Sequence, residues 1–180
     1  MALRYALLAA LHEQRATGYE LTQRFRASLG YVWNATHQQI YRELKRLHDD
    51  ALLTVEVVAQ AERPDRKCYQ VTQAGSAALQ EWLVTPQQRP ATRDPFLVKL
   101  FAANLIDDAT LADELADMRG QWQQQLATYR DIEATYFAAS MGLSRHKRMQ
   151  YLALKRGIQD MEAWLAWSEE LLSELRMNAN

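Results

Sequence analysis

Two stretches of this chain carry residues at alternating spacings of four and three, and this pattern limits the possible folds more than any other feature. The first runs Leu111, Leu115, Met118, Trp122, Gln125, Tyr129, Ile132 and Tyr136, with Gln125 breaking its apolar character. The second runs Tyr151, Leu154, Ile158, Met161, Leu165, Ser168, Leu172 and Leu175. Such spacing keeps one stripe of an α-helix turned toward a partner helix. Between them Met141-Gly142-Leu143-Ser144 supplies a glycine break and a new N-cap, so the sequence predicts a long antiparallel helical hairpin. Trp164, Trp167 and Leu171 lie beside the second seam and widen its apolar stripe beyond what one partner helix covers. A second copy of the chain is the expected occupant of that excess, which makes the protein a homodimer through its C-terminal helices.

The first half follows a different order. Leu3, Leu7, Ala10 and Leu11 recur at helical spacing, with Tyr5 and Leu8 widening the stripe, and predict a helix over Ala2 to Glu13. Thr17 and Glu20 stand three apart as a capping box for a second helix, to which Tyr19, Leu21, Phe25 and Leu29 bring apolar contacts before Gly30 ends it. Thr36 opens a third helix, in which Ile40, Leu44 and Leu47 form the buried stripe, running to about Asp50. The β-branched run Thr54, Val55, Val57 and Val58, the polar turn from Glu62 to Lys67, and the extended Cys68 to Val71 read as a hairpin with a charged tip. Thr72 then caps a fourth helix carrying Leu79, Trp82 and Leu83, which Thr85-Pro86 ends.

The fold expected is therefore mainly α. A winged helix-turn-helix of three helices, a two-stranded wing and one more helix occupies residues 1–85, and the helical dimerisation domain occupies 96–180. Three of the four prolines fall within Pro86 to Pro95, a stretch without sustained periodicity that reads as a linker. Phe96 to Ile106 forms a short apolar helix at the start of the second domain.

Several function classes fall away. Cys68 is the single cysteine, so no internal disulfide or thiol pair for a metal can form, and it is expected to pack as a small buried hydrophobe. The four histidines show no ligand spacing, and no nucleophile with its base or phosphate-cradling glycine loop is visible, so neither an enzyme nor a cofactor is expected. No apolar run approaches the ~20 residues needed to span a bilayer, and no secretory signal precedes the first helix, so the chain is expected to stay in the cytoplasm. A net charge of −1 argues against a uniformly basic coat but permits a local basic surface.

The third helix provides one. Stepping ~100° per residue from Ile40 puts Gln38, Arg42, Lys45 and Arg46 on or near the face opposite the core. The major groove of DNA admits a helix with amide and guanidinium side chains. Gln38 and Gln39 are suited to base edges, Arg42 to a guanine edge or a phosphate, and Lys45 and Arg46 to phosphates, with Thr36 and Tyr41 on the same helix start and face. Arg63, Arg66 and Lys67 at the hairpin tip would meet the backbone or a neighbouring minor groove. The alternative is a helical protein–protein interaction module that uses the winged helix for docking. Such a module has no reason to concentrate Arg42, Lys45 and Arg46 opposite its core.

These residues also resemble a known family. Gly18-Tyr19-Glu20-Leu21, Tyr31-Val32-Trp33, Gln39-Ile40-Tyr41-Arg42-Glu43-Leu44 with Leu47, and Tyr69-Gln70-Val71-Thr72-Gln73-Ala74-Gly75 leading to Leu79 and Trp82-Leu83 look like the PadR winged helix over residues 2–84. The C-terminal half is similar, in pattern and length, to the helical extension of longer PadR members and related virulence activators. The resemblance implies a homodimeric regulator, a repressor of transcription in the simplest case, that presents two recognition helices to half-sites about one helical turn apart, roughly 34–36 Å. It also implies an effector of small aromatic type, for which Trp122, Tyr129, Trp164 and Trp167 are the candidate contacts, with Tyr136 and Phe137 beside them. Where many relatives place a glycine after the recognition helix, this chain has Asp50-Ala51-Leu52-Leu53, so a differently shaped entry into the wing is expected.

Overall fold

In a computed structural model of the protein, the residues described are 2–25, 35–58, 66–88, 93–138 and 142–178. Gly30, the Tyr31-Val32-Trp33 segment and residues 59–65, Arg63 among them, lie outside them. The chain divides into two compact units, Met1–Gln88 and Arg89–Asn180. No helix among the described residues is long and apolar enough to cross a membrane.

The first unit runs α1 (Ala2–Glu13), β1 (Ala16–Thr17), α2 (Gly18–Arg24), α3 (His37–Asp49), β2 (Leu53–Val58), β3 (Arg66–Val71) and α4 (Gln73–Val84). Its core gathers Leu7, Leu8, Leu11 of α1, Leu21 and Phe25, then Ile40, Leu44 and Leu47 of α3, closed by Leu53, Tyr69 and Leu79. Each leucine fully buried here contributes about 1.5–3 kcal/mol relative to exposure, so the helices are held by tertiary packing more than by propensity. Tyr5 stacks on Trp82 at 4.7 Å between ring centres, fastening α1 to α4. Tyr19 and Leu83, expected as apolar contacts, are instead exposed.

The sheet has three strands rather than two, in the order β1-β3-β2, all antiparallel. The added strand is Ala16–Thr17, which pairs with Tyr69 and Cys68. Two residues give no period to read, so the strand leaves no trace in the sequence pattern. Alternation along β3 sends Tyr69 into the core and Cys68 to the other face, where it is half-buried and helps line a polar hollow with Arg15, Glu20 and Glu56. Cys68 is therefore not the core hydrophobe expected.

Thr72 locks α4 to the turn after α3. Its backbone N–H donates to Leu52 O at 3.1 Å, its hydroxyl donates to Ala51 O at 3.0 Å, and its Oγ1 accepts from Gly75 N at 2.9 Å. Gly75 permits this approach, since a Cβ there would stand 2.2 Å from Leu52 O.

The second unit holds α5 (Pro95–Phe101), a short 3-10 turn (Ala103–Leu105), α6 (Asp108–Phe137) and α7 (Arg145–Asn178). Asp94 caps α5 through Phe96 N, with Pro95 in the first turn, so these two residues start the helix and do not belong to a linker. Asp107 caps α6 through Thr110 N at 2.8 Å; the Thr110 hydroxyl and backbone N–H hold its carboxyl below the usual range. The helices α6 and α7 form the antiparallel hairpin. Trp122 stacks on Trp164, Arg119 pairs with Glu169, Arg130 with Glu162, and Tyr151 donates to Glu133 at 2.7 Å. The second seam is on the inner face throughout. In the first seam the last inward position is Phe137, buried and stacked on Tyr151, while Tyr136 is exposed. At fully buried Ser168, Oγ accepts from the Arg119 guanidinium and donates to Leu165 O at 2.6 Å, so the polar residue in the seam is satisfied.

Candidate nucleic-acid interface

Helix α3 is held at both ends and along one side. At its start, Thr36 Oγ1 accepts from Gln39 N at 3.2 Å and Gln39 Oε1 accepts from Thr36 N at 2.8 Å, a complete capping box. At its end, Leu52 N donates to Leu47 O and Ala51 N to His48 O, both at 2.9 Å, with Ala51 at φ 58. This is the six-to-one and five-to-two bonding of a Schellman turn, with alanine in the left-handed conformation that glycine ordinarily supplies. The expected change of shape at the wing entry is thus absent: the turn keeps its geometry and Ala51 carries the steric cost.

On its side, α3 meets α2 through Tyr41 and Gly18. A Cβ on Gly18 would stand 2.6 Å from Tyr41 Cζ, so the missing side chain is what admits the ring. Tyr41 also lies 4.3 Å, centre to centre, from His37. It is one of the groups that keep the Tyr69 hydroxyl protonated to higher pH, after burial, which is the larger cause.

With the core stripe fixed, Gln38, Tyr41, Arg42 and Lys45 fall at i, i+3, i+4 and i+7 on one exposed face. Gln39 and Arg46 are exposed beside them. Gln39 spends its carbonyl on the cap and keeps its amide N–H groups to donate. Lys45 pairs with Asp49 at 2.7 Å and Arg46 with Glu43 at 3.5 Å, while Arg42 forms no ion pair with a described residue. Surface pairs of this kind are worth about 0–1 kcal/mol, so a phosphate can replace the carboxylate at little cost.

The wing residues differ from expectation. Arg66 and Lys67 are not in a turn but open β3, and Arg66 Nη2 donates to Glu20 Oε1 at 2.6 Å. Glu20 accepts from Thr17 N at 2.9 Å through its other oxygen; that backbone bond, more than Arg66, holds its carboxyl below the usual value. A second pair, Arg15 with Glu56 at 3.1 Å, joins the residue before β1 to β2. Neither tie could be read from spacing, because the partners lie 46 and 41 residues apart.

Of the four aromatic candidates in the second unit, three come together. Trp122 stacks on Trp164, whose edge meets Trp167, and Trp167 meets Phe96 of α5. Tyr129 lies about two turns further along α6, buried against Gly157. Burial and the Asp160 carboxylate raise its pKa.

A buried three-helix core that presents a capped third helix with an amide and guanidinium face, beside an antiparallel wing, defines the winged-helix class of DNA-binding transcription regulators. Comparison with known proteins narrows this. Residues 7–81 match the model of the transcriptional regulator PadR-like family, and residues 92–176 match that of the virulence activator alpha C-terminal region. The chain is 38% identical to the probable transcriptional regulator Rv1176c of Mycobacterium tuberculosis, over 98% of both chains. It is 30% identical to the negative transcriptional regulator PadR of Bacillus subtilis, over 95% of this chain and 96% of that one. It belongs to the PadR-like family of transcriptional regulators.

Solved structures agree. The Vibrio cholerae virulence activator AphA matches with a TM-score of 0.81 at 36% identity, covering 97% of this chain and 98% of that one. Bacillus subtilis PadR in complex with operator DNA matches at 0.80 and 27%, covering 97% and 99%. The same PadR has been solved with p-coumaric acid, and in that form the match is 0.73, covering 97% and 95%.

Proposed function

We propose that the protein is a homodimeric repressor that reads a pseudo-palindromic operator with α3 in the major groove. The observation that carries this is the exposed stripe of Gln38, Tyr41, Arg42 and Lys45 on a helix fixed at both ends. Gln38 and Arg42 contact base edges, Gln39 donates from its amide, and Lys45 and Arg46 exchange their carboxylates for phosphates. Thr36, through its cap, and Tyr41, through Gly18, set the angle of the helix. Lys67 and Arg63 reach the backbone from the wing, and Arg66 holds the wing strand to α2. The repressor role and the operator rest on likeness to the negative regulator PadR and its operator complex.

A small aromatic acid is the effector class we propose, with Trp122, Trp164 and Trp167 as its stacking surface and Tyr129 as a buried supporting residue. It acts by changing the separation of the two recognition helices, so that the bound and free forms fit the two half-sites differently. No catalytic step is part of this function. Selection of binding sites from random duplex DNA tests it. The expected product is an inverted repeat with half-site centres about one helical turn apart, or a multiple of it. A single half-site or no enriched sequence would overturn the dimeric operator reading.

A further inference from the structure

One flank of α3 carries charges that reach α1. Glu43, Arg46 and the C-cap residue Asp50 fall at i, i+3 and i+7, beside the stripe that faces solvent. Glu43 lies deepest in this row: its side chain is 17% exposed, against 64% for Arg46. From α1, Arg4 Nη2 donates to Asp50 Oδ2 at 2.6 Å, and Arg4 Nε stands 4.0 Å from Glu43 Oε1. Arg46 Nη1 lies 3.5 Å from the other oxygen of Glu43. Charge therefore alternates in sign along Asp50, Arg4, Glu43 and Arg46.

The row is incomplete at one atom. Arg4 Nε is closed off from solvent and has no hydrogen-bond partner, alone among the buried side-chain nitrogen and oxygen atoms of the described residues. A buried donor without an acceptor is costly, and folded proteins keep few of them. The ion pair between Arg4 and Glu43 runs through this same atom, at a distance about 1 Å longer than an N–H···O bond. Glu43 is thus placed between two guanidinium groups and stands off the one whose donor is unused. A contact built only to pin α1 to α3 would close that gap.

We propose that Glu43 is a counter-ion with two positions. In the free protein it is shared between Arg46 and Arg4. When Arg46 turns to a DNA phosphate, Glu43 closes on Arg4 and accepts the unused Nε–H. Arg4 and Glu43 are then positioning residues for the DNA contact, acting through Arg46 and not by touching DNA. The inference rests on the reading of α3 as the DNA-contacting helix and of Arg46 as a phosphate contact, and it supplies the partner that Glu43 takes when it gives up Arg46.

Comparison with the neighbouring pair shows why a second cation is needed. When Lys45 leaves Asp49, the carboxylate is 54% exposed and water solvates it. Glu43 is largely sealed, so losing its partner would strand a charge that water reaches poorly and that repels the arriving phosphate. Arg4 removes both penalties. Its guanidinium is already fixed to Asp50 through Nη2, so it receives Glu43 without a movement of α1.

The test is a double-mutant cycle read in DNA affinity. Arg4→Met keeps the apolar stem and removes the guanidinium. At about 0.15 M salt it should weaken binding to promoter and scrambled duplex alike by about three- to tenfold, and lower the salt slope by about one, because Arg46 stays with Glu43. In a Glu43→Gln background the same change should cost less than about twofold, since Arg46 is already released. A loss of equal size in both backgrounds would mean that Arg4 touches DNA itself or merely holds the fold, and would overturn the inference. A second readout uses the unaltered protein with labelled arginine. The Arg4 Nε–H proton, identified with Arg4→Lys, should move downfield when either duplex is added, and should not move in Glu43→Gln. An unmoved resonance in the DNA-bound protein would overturn the exchange even where Arg4→Met is too unstable to titrate. Failure of the unaltered protein to bind any duplex would overturn the reading of α3 and this inference with it.

Discussion

Arg66 at the start of β3 and Glu20 at the third position of α2 are joined by a 2.6 Å hydrogen bond, and the same carboxylate closes the capping box with Thr17. One side chain therefore fixes a helix start and a wing strand together. The recognition helix inherits that order, because α2 is also the surface on which Tyr41 rests.

Glu20→Gln keeps a capping amide but loses the charge. The folded-state pKa of Glu20 is depressed, so its stabilising contribution is present above the ordinary value of 4.5 and is lost as pH falls through the depressed value. At pH 7 the variant should be less stable by up to about 1 kcal/mol, since the group is well exposed and its pairing screened. Thermal melts of both proteins from pH 7 to pH 3 should show the gap closing in acid. A gap independent of pH would contradict the role given to the charge.

Ala51→Gly should stabilise the first unit. Alanine at φ 58 bears the left-handed penalty of about 1–2 kcal/mol, against which glycine loses about 0.5–1 kcal/mol of unfolded-state entropy. The net expectation is a gain of about 0.5–1 kcal/mol in denaturant unfolding. A loss of stability would show that the turn after α3 is not left-handed.

Gly75→Ala and Gly18→Ala should behave differently, although both glycines are crowded. At Gly75 the obstacle is the Leu52 backbone carbonyl, which cannot swing aside, so a cost of about 2–3 kcal/mol in stability is expected. At Gly18 the obstacle is the end of the Tyr41 side chain, which can move. That variant should stay folded and lose DNA affinity, measured by fluorescence anisotropy alongside its melting curve. Equal effects of the two on stability would mean that Tyr41 is as rigid as a main chain.

The sequence carried most of the helical architecture because periodicity and caps are local. Thr17, Thr36 and Thr72 all cap where the pattern put them. What escaped was two-residue or long-range. The strand Ala16–Thr17 has no period, and the pairs of Arg66 with Glu20 and Arg15 with Glu56 depend on which strands lie adjacent. Arg119 reaches across from α6 to the buried Ser168, a contact that needs α6 and α7 side by side. At the interface, the exposed face of α3 was legible from the buried one. The capture of Tyr41 by Gly18 was not, since it needs α2 and α3 side by side.

Arg42→Ala and Lys45→Ala separate base reading from charge. Loss of Arg42 should weaken binding to the preferred site by about 1–3 kcal/mol and relax specificity at one base pair. Loss of Lys45 should weaken all duplexes alike and reduce the salt slope by about one. Titrations against the preferred site and a scrambled duplex at several salt concentrations distinguish the two. A uniform loss from Arg42→Ala would move that residue to the phosphate contacts.

The most direct measurement is binding of the purified protein to DNA from its own promoter and to a scrambled duplex of equal length, at two salt concentrations, with the stoichiometry determined. Two chains per site, tighter binding to the promoter, and affinity that falls as salt rises are the results expected of a dimeric operator-binding regulator. Equal affinity for both duplexes at both salts, or one chain per site, would contradict it.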